Sequence, residues 1–209
     1  MIIKKLRKNL TIVGVMHVSP ECVFGVPSII LNERPQVVGV ELCKRRYIAL
    51  RSGGAPAPLF PFPFFLYLIQ EIVARQIGVK AGTEMVLAIK SAKKIGANVA
   101  LLDQDIEITL RRLALLPLNE KLRFILWMIG GFLTGQKIRL KSLLDEKKLR
   151  WILNQFKTRC PGFYRVLVEE RNRVMASNIR RILAKDVKMV CVVGAGHVFD
   201  LMDKLSYRG

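Results

Sequence analysis

Lys188-Met189-Val190-Cys191-Val192-Val193-Gly194-Ala195-Gly196-His197 is a short apolar, β-branched run that stops at a glycine-rich turn and a histidine. Near-continuous hydrophobicity, rather than alternation, marks a strand covered on both faces. Three further runs share the pattern: Thr11–Met16, Gln36–Val40 and Asn98–Leu102. Helical periodicity separates them. Thr83 is placed to cap a helix whose Met85, Ala88, Ile89, Ala92 and Ile95 share one face, with Gly96 ending it. Leu110, Leu113 and Leu116 mark a second helix. Leu149, Ile152, Leu153 and Phe156 mark a third, entered through Asp145, and a long fourth runs from about Phe163 to Leu183. Gly25 and Pro27 break the segment after the first strand, and Leu50–Pro63 reads as a loop. Strands alternating with helices predict an α/β fold: a mostly parallel sheet flanked by helices on both faces.

Composition narrows the class. The chain has 209 residues, 51% hydrophobic, which suits one well-buried domain over 1–209 and excludes a disordered chain. Cys22, Cys43, Cys160 and Cys191 are widely spaced and lack CxxC pairing, which argues against a zinc knuckle and for buried, reduced thiols of a cytoplasmic protein. The basic N-terminus has no long apolar run after it, so it does not read as a signal peptide. Leu59–Ile69 and Phe124–Leu133 are too short to span a bilayer.

Lys and Arg number 35 against 16 Asp and Glu, a net charge of +19. The excess is spread over Lys4–Lys8, Lys44–Arg46, Lys137–Lys141 and Arg171–Arg181, without interleaved aromatics. It reads either as a solvated basic surface or as one that contacts nucleic acid or an anionic membrane from the periphery. A second copy of the chain is a further candidate partner.

The residues just beyond each strand carry the chemistry. The first run leads to His17, the second to Glu41, the third to Asp103 and Asp105, and the fourth to His197. Ligands of open parallel sheets bind outside the carboxyl ends of the strands. Both histidines of the chain stand in a Gly-x-x-His frame, Gly14-Val-Met-His17 and Gly194-Ala-Gly-His197. At ordinary glycine frequency that coincidence arises about one time in 200, so the frames argue for one shared site. Two neutral imidazoles with one or two carboxylates can hold a divalent metal with an open position. Sharing one ion predicts imidazoles closer than roughly 10 Å. Arg171 falls within the apolar stripe of the fourth helix, beside Val168 and Met175. A charge there needs a partner, such as Glu170 or a rim carboxylate, or else it reaches into the site. Glu84 occupies the first turn of its helix, where the dipole favours any acid, and Asp103 and Asp105 also suit turn or capping roles.

Taken in order, Gly14-Val-Met-His17-Val-Ser19, Glu41-Leu-Cys43 with Arg46, Gly82-Thr-Glu84-Met85, Asp103-Gln-Asp105, Glu170-Arg171 and Gly194-Ala-Gly-His197-Val resemble the TraB/PrgY family, related to GumN and TIKI proteins. The resemblance implies a core like that of ChaN and erythromycin-esterase proteins. It also implies a metal-dependent hydrolase of peptide or amide bonds, with manganese or cobalt favoured and zinc an alternative. Within it, His17, Glu41 and His197, with Asp103 or Asp105, would hold the ion. Glu84 or Glu170 would be the general base, and Arg171 would orient a carboxylate or stabilise an oxyanion. The rival implication is a non-catalytic protein that sequesters a peptide, as PrgY is linked to pheromone blocking. This chain has Gln104 where the family often has Arg, Asn172 where an acid commonly follows Glu-Arg, and no hydrophobic region after His197.

A charge excess without a recognition motif gives a testable expectation. Binding to duplex nucleic acid should be weak, indifferent to sequence, and steeply reduced by salt. Titration over a salt series checks this; tight, sequence-dependent binding at high salt would instead favour a dedicated binding protein.

Overall fold

The structure is a computed structural model and describes residues 1–15, 20–51, 82–133 and 145–206. Five strands form one sheet in the spatial order β1-β2-β5-β3-β4. They are β1 Ile2–Arg7, β2 Leu10–Val15, β3 Val37–Val40, β4 Asn98–Leu101 and β5 Met189–Gly194. All pairings are parallel except β1 with β2. The fold is therefore α/β, as the alternating pattern predicts.

The β1 edge strand is an addition to that expectation. Lys4, Lys5 and Arg7 hide the strand pattern of Ile2–Arg7 among basic residues, but the segment is amphipathic, with Ile2 buried and Ile3 and Lys5 exposed. Charged residues are a common guard on an edge strand. Lys8 and Asn9 turn the chain back into β2.

Apolar side chains of the inner strands go alternately to two cores, which is why their sequences are hydrophobic without interruption. Leu10, Ile12, Met189, Cys191 and Val193 enter one core. Val13, Val15, Val38, Val40, Val190 and Val192 enter the other. The second core is covered by α1 Pro20–Glu33 and α3 Thr83–Lys94. The first is covered by α8 Glu170–Leu183 and α9 Val198–Ser206. Between these lie α2 Lys44–Arg51, α4 Ile106–Ala114, α5 Leu118–Leu133, α6 Glu146–Arg159 and the short α7 Pro161–Tyr164. A third apolar cluster joins α4 to α7 through Phe124 and Phe163, stacked at 4.3 Å.

Several local expectations are corrected. Gly25 and Pro27 do not break α1, because Cys22, Val26 and Ile30 bury one face of it completely. That packing outweighs the cost of an interior proline, about 3 kcal/mol. Gly82, not Thr83, occupies the cap position of α3, at φ 90°, a left-handed conformation suited to glycine. Leu50 and Arg51 finish α2 rather than opening a loop, and residues 52–63 of that stretch lie outside the described residues. Asp145 caps α6 as expected, accepting from the amides of Lys147 and Lys148. All four cysteines are free and buried. Burial pushes the Cys191 thiol well above its ordinary pKa. Among the described residues, no helix is long and apolar enough to cross a membrane.

The strands bring their carboxyl ends to one edge. Val15 pairs with Gly194, Val40 with Val192, and Val40 with Leu101. Gly14 makes the β2–β5 edge compact. A Cβ at Gly14 would stand 2.5 Å from Val198 Cγ2 and 3.3 Å from the Ala195 Cα. The first Gly-x-x-His frame thus supplies the space into which the second one turns. Gly14→Ala should cost about 1–3 kcal/mol by overpacking. Adding Val198→Ala removes the blocking methyl, so the pair should be less destabilising than the sum by at least about 0.5 kcal/mol. Denaturant unfolding of the three variants checks this; strict additivity would contradict the close approach.

Candidate functional site at the strand ends

Glu41 follows β3 directly, and its backbone amide donates to the Val192 carbonyl at 3.1 Å, extending the ladder by one residue. That bond fixes the side chain beside β5. Glu41 is 4% exposed, and its Oε2 accepts from the Gly194 backbone amide at 2.6 Å. His197 closes a single 3-10 turn, Ala195–His197, that leaves β5, and it too is buried. Its Nε2 lies 3.2 Å from Glu41 Oε1. The second and fourth strand ends therefore do meet.

Asp103 lies two residues beyond β4 in a tight turn. Its Oδ1 accepts from the Gln104 amide at 2.8 Å, and Gln104 itself bonds Thr109 Oγ1 at 3.0 Å. That buried pair, available to Gln104 as an amide, explains how the turn is held with no arginine between the two aspartates. Asp105 turns away. It caps α4 by accepting from the Glu107 amide at 2.9 Å, and it faces Arg45 at 3.4 Å. Its side chain is 42% exposed.

Arg171 joins these ends. Its Nε and Nη2 donate to Asp103 Oδ1 and Oδ2 at 2.9 and 2.8 Å, a bidentate fork. Nη2 also donates to Glu41 Oε1. Nη1 donates to the Leu167 carbonyl at 3.2 Å and stands 3.3 Å from His197 Nε2. Leu167 belongs to a π turn, Arg165–Glu169, inserted between α7 and α8. Such turns recur at functional sites and reorient the helix beyond them. Burial works against the Arg171 charge, but Glu41 and Asp103 outweigh it and hold its pKa above the ordinary value. The partner of Arg171 is thus the rim, not Glu170.

Glu170 points to α4, where its Oε1 accepts from Arg112 Nη1 at 3.0 Å. Glu84 is fully buried in the first turn of α3. Since α3 leads straight into parallel β4, that first turn lies toward the strands' carboxyl edge. His17 lies outside the described residues, two positions beyond the Val15 that pairs with Gly194. Among the described residues, no three His, Cys, Asp or Glu side chains converge as a metal site.

Three participants carry no role that the sequence assigns. Arg46 of α2 approaches Asp103 Oδ2 at 3.5 Å. Asn172 bonds His197 Nδ1 at 2.7 Å, and Asp200 bonds Asn172 in turn. The available signals are adjacency to Arg171 for Asn172, and the three-residue step from His197 to Asp200 within one turn.

The sequence model of the TraB/PrgY/gumN family matches residues 1–209. An uncharacterized protein of Methanocaldococcus jannaschii, MJ1365, is 32% identical over 204 residues, covering 91% of this chain and 51% of that protein. The chain thus spans about half the length of that curated relative.

Arg171→Met keeps the stem and deletes the charge, leaving Glu41 and Asp103 buried without their common partner. The expected loss of stability is about 3–5 kcal/mol. Adding Glu41→Gln and Asp103→Asn removes the unpaired charges and should return part of it. Chemical denaturation of both variants checks this. An Arg171→Met protein as stable as wild type would contradict a structural clamp.

Proposed function

The chain belongs to the TraB/PrgY/gumN family, and from that premise we propose that it is a divalent-metal-dependent hydrolase acting on a peptide or other amide at the strand ends. The observation that carries the proposal is the 3.2 Å separation of His197 Nε2 from Glu41 Oε1. Two donors each about 2.0–2.2 Å from one ion stand roughly 3 Å apart. A nitrogen and a carboxylate oxygen suit manganese, cobalt or zinc. His17, in the matching frame of the sequence, would supply the third ligand.

Asp103 is assigned to Arg171, since both of its oxygens accept from the guanidinium. Asp105 is assigned to the helix cap. When bound, the ion supplies Lewis-acid polarisation of an amide carbonyl and a more acidic water. The chain's own residues do the rest. Gly194 N–H and Arg171 hold the Glu41 carboxylate in one orientation. The Arg171 guanidinium, beside His197, places a fixed positive charge near where negative charge would develop on a substrate oxygen. Glu84 or Glu170 is the proton acceptor in this reading, as the family resemblance implies. A second reading, a non-catalytic protein holding an acidic peptide, is favoured by the net charge of +19.

Elemental analysis of protein purified with manganese, cobalt or zinc should find about one ion per chain. His197→Ala and Glu41→Ala should lose it, with at least about a tenfold fall in peptide hydrolysis, equivalent to roughly 1.4 kcal/mol. Peptide binding without cleavage, in protein that retains no ion, would replace the hydrolase with the second reading.

A further inference from the structure

We propose that Asn172 and Asp200 form a positioning pair that fixes the tautomer of His197, so that Nε2 rather than Nδ1 offers its lone pair to the strand-end site. Asn172 is fully buried in α8, and its amide spans two groups. Its Nδ2 donates to Asp200 Oδ2 at 2.7 Å. A carboxylate only accepts, and the other oxygen of Asp200 faces Lys204 Nζ at 3.1 Å. The Asn172 amide therefore has one orientation, with Oδ1 turned to His197.

That oxygen lies 2.7 Å from His197 Nδ1. An amide oxygen has no proton to give, so Nδ1 carries the hydrogen of the neutral ring and Nε2 is left bare. The groups facing Nε2 are Arg171 Nη1 at 3.3 Å and Glu41 Oε1 at 3.2 Å. Arg171 can donate to a bare nitrogen, and the same guanidinium donates to Glu41 Oε1, so it stands between the two acceptors.

The pair also explains the residue type at 172. An aspartate there would face the Asp200 carboxylate across the same short gap, with two acceptors and no proton between them. An asparagine accepts from His197 on one side and donates to Asp200 on the other. Neither Asn172 nor Asp200 needs to touch a substrate for this. They act through His197, as outer partners of metal-binding histidines do. The tautomer stands on the geometry alone; its consequence for ion binding rests on the metal reading proposed above.

Nitrogen-15 NMR on the metal-free full chain, at a pH where the ring is neutral, tests the inference. Two histidines make assignment simple, because His17→Gln leaves one ring. The expected spectrum has a protonated Nδ1 and a bare Nε2. Asp200→Ala lets the amide of Asn172 rotate, and Asn172→Leu removes it. Each should bring in the opposite tautomer while thermal unfolding remains cooperative. Asp200 has a partly exposed side chain, so its variant decides the matter if the Asn172 variant does not fold. A protonated Nε2 in the wild-type background, or a spectrum unchanged in folded Asp200→Ala, overturns the proposal. Manganese titration separates the two readings. Affinity should fall about 10–100-fold in Asp200→Ala. A shifted tautomer with unchanged affinity supports the positioning pair and overturns the metal reading of His197.

Discussion

One guanidinium ties three strand ends together. Arg171 grips Asp103 beyond β4 with a bidentate fork, Glu41 beyond β3 with the same Nη2, and stands against His197 beyond β5. Placing this charge in an apolar stripe is costly, and only the two carboxylates make it tolerable. The dependence is mutual, since Glu41 and Asp103 are themselves buried. Removing any member leaves the others charged and poorly solvated. The geometry of the edge is therefore a property of the cluster, and the fold supplies its frame.

That frame comes from the two-sided sheet. Strands whose alternate residues enter opposite cores cannot slip by one position without exchanging their buried sets. Register is consequently fixed, and so is where each strand ends. The Gly14 gap lets the turn after β5 sit directly on β2. The π turn before α8 supplies the Leu167 carbonyl that holds the third side of the guanidinium. Precise placement of Glu41 and His197 thus comes from the backbone, while Arg171 and Asn172 supply their side-chain hydrogen-bond partners.

Much of this is legible in the sequence because burial leaves a strong pattern. The four strands β2 to β5, the cap at Asp145 and the strand-end position of Glu41, Asp103 and His197 follow from hydrophobic periodicity and the residue after each run. Arg171 announces itself by breaking an apolar stripe. The hidden features depend on pairing in space. β1 is masked by its own guarding lysines, and α1 survives Pro27 through contacts that local propensity does not record. Asp103 and Asp105 look equivalent in sequence, yet one is claimed by a buried arginine and the other by a helix terminus. Glu170, next to Arg171 in the chain, faces α4 because successive helical residues diverge by about 100°. Sequence adjacency places Asn172 and Asp200 near Arg171 and His197 but does not show that they pair, since nothing local says which way an amide points.

The family relationship and the strand-end geometry meet in one claim: that the two Gly-x-x-His frames serve a single metal site with Glu41. A crystal of the full chain grown with manganese, measured at a wavelength where the ion scatters anomalously, tests it most directly. The account predicts one strong peak about 2.0–2.2 Å from His197 Nε2, an oxygen of Glu41 and the imidazole of His17. A peak away from the strand ends, or an empty edge with the two imidazoles more than roughly 10 Å apart, would contradict it.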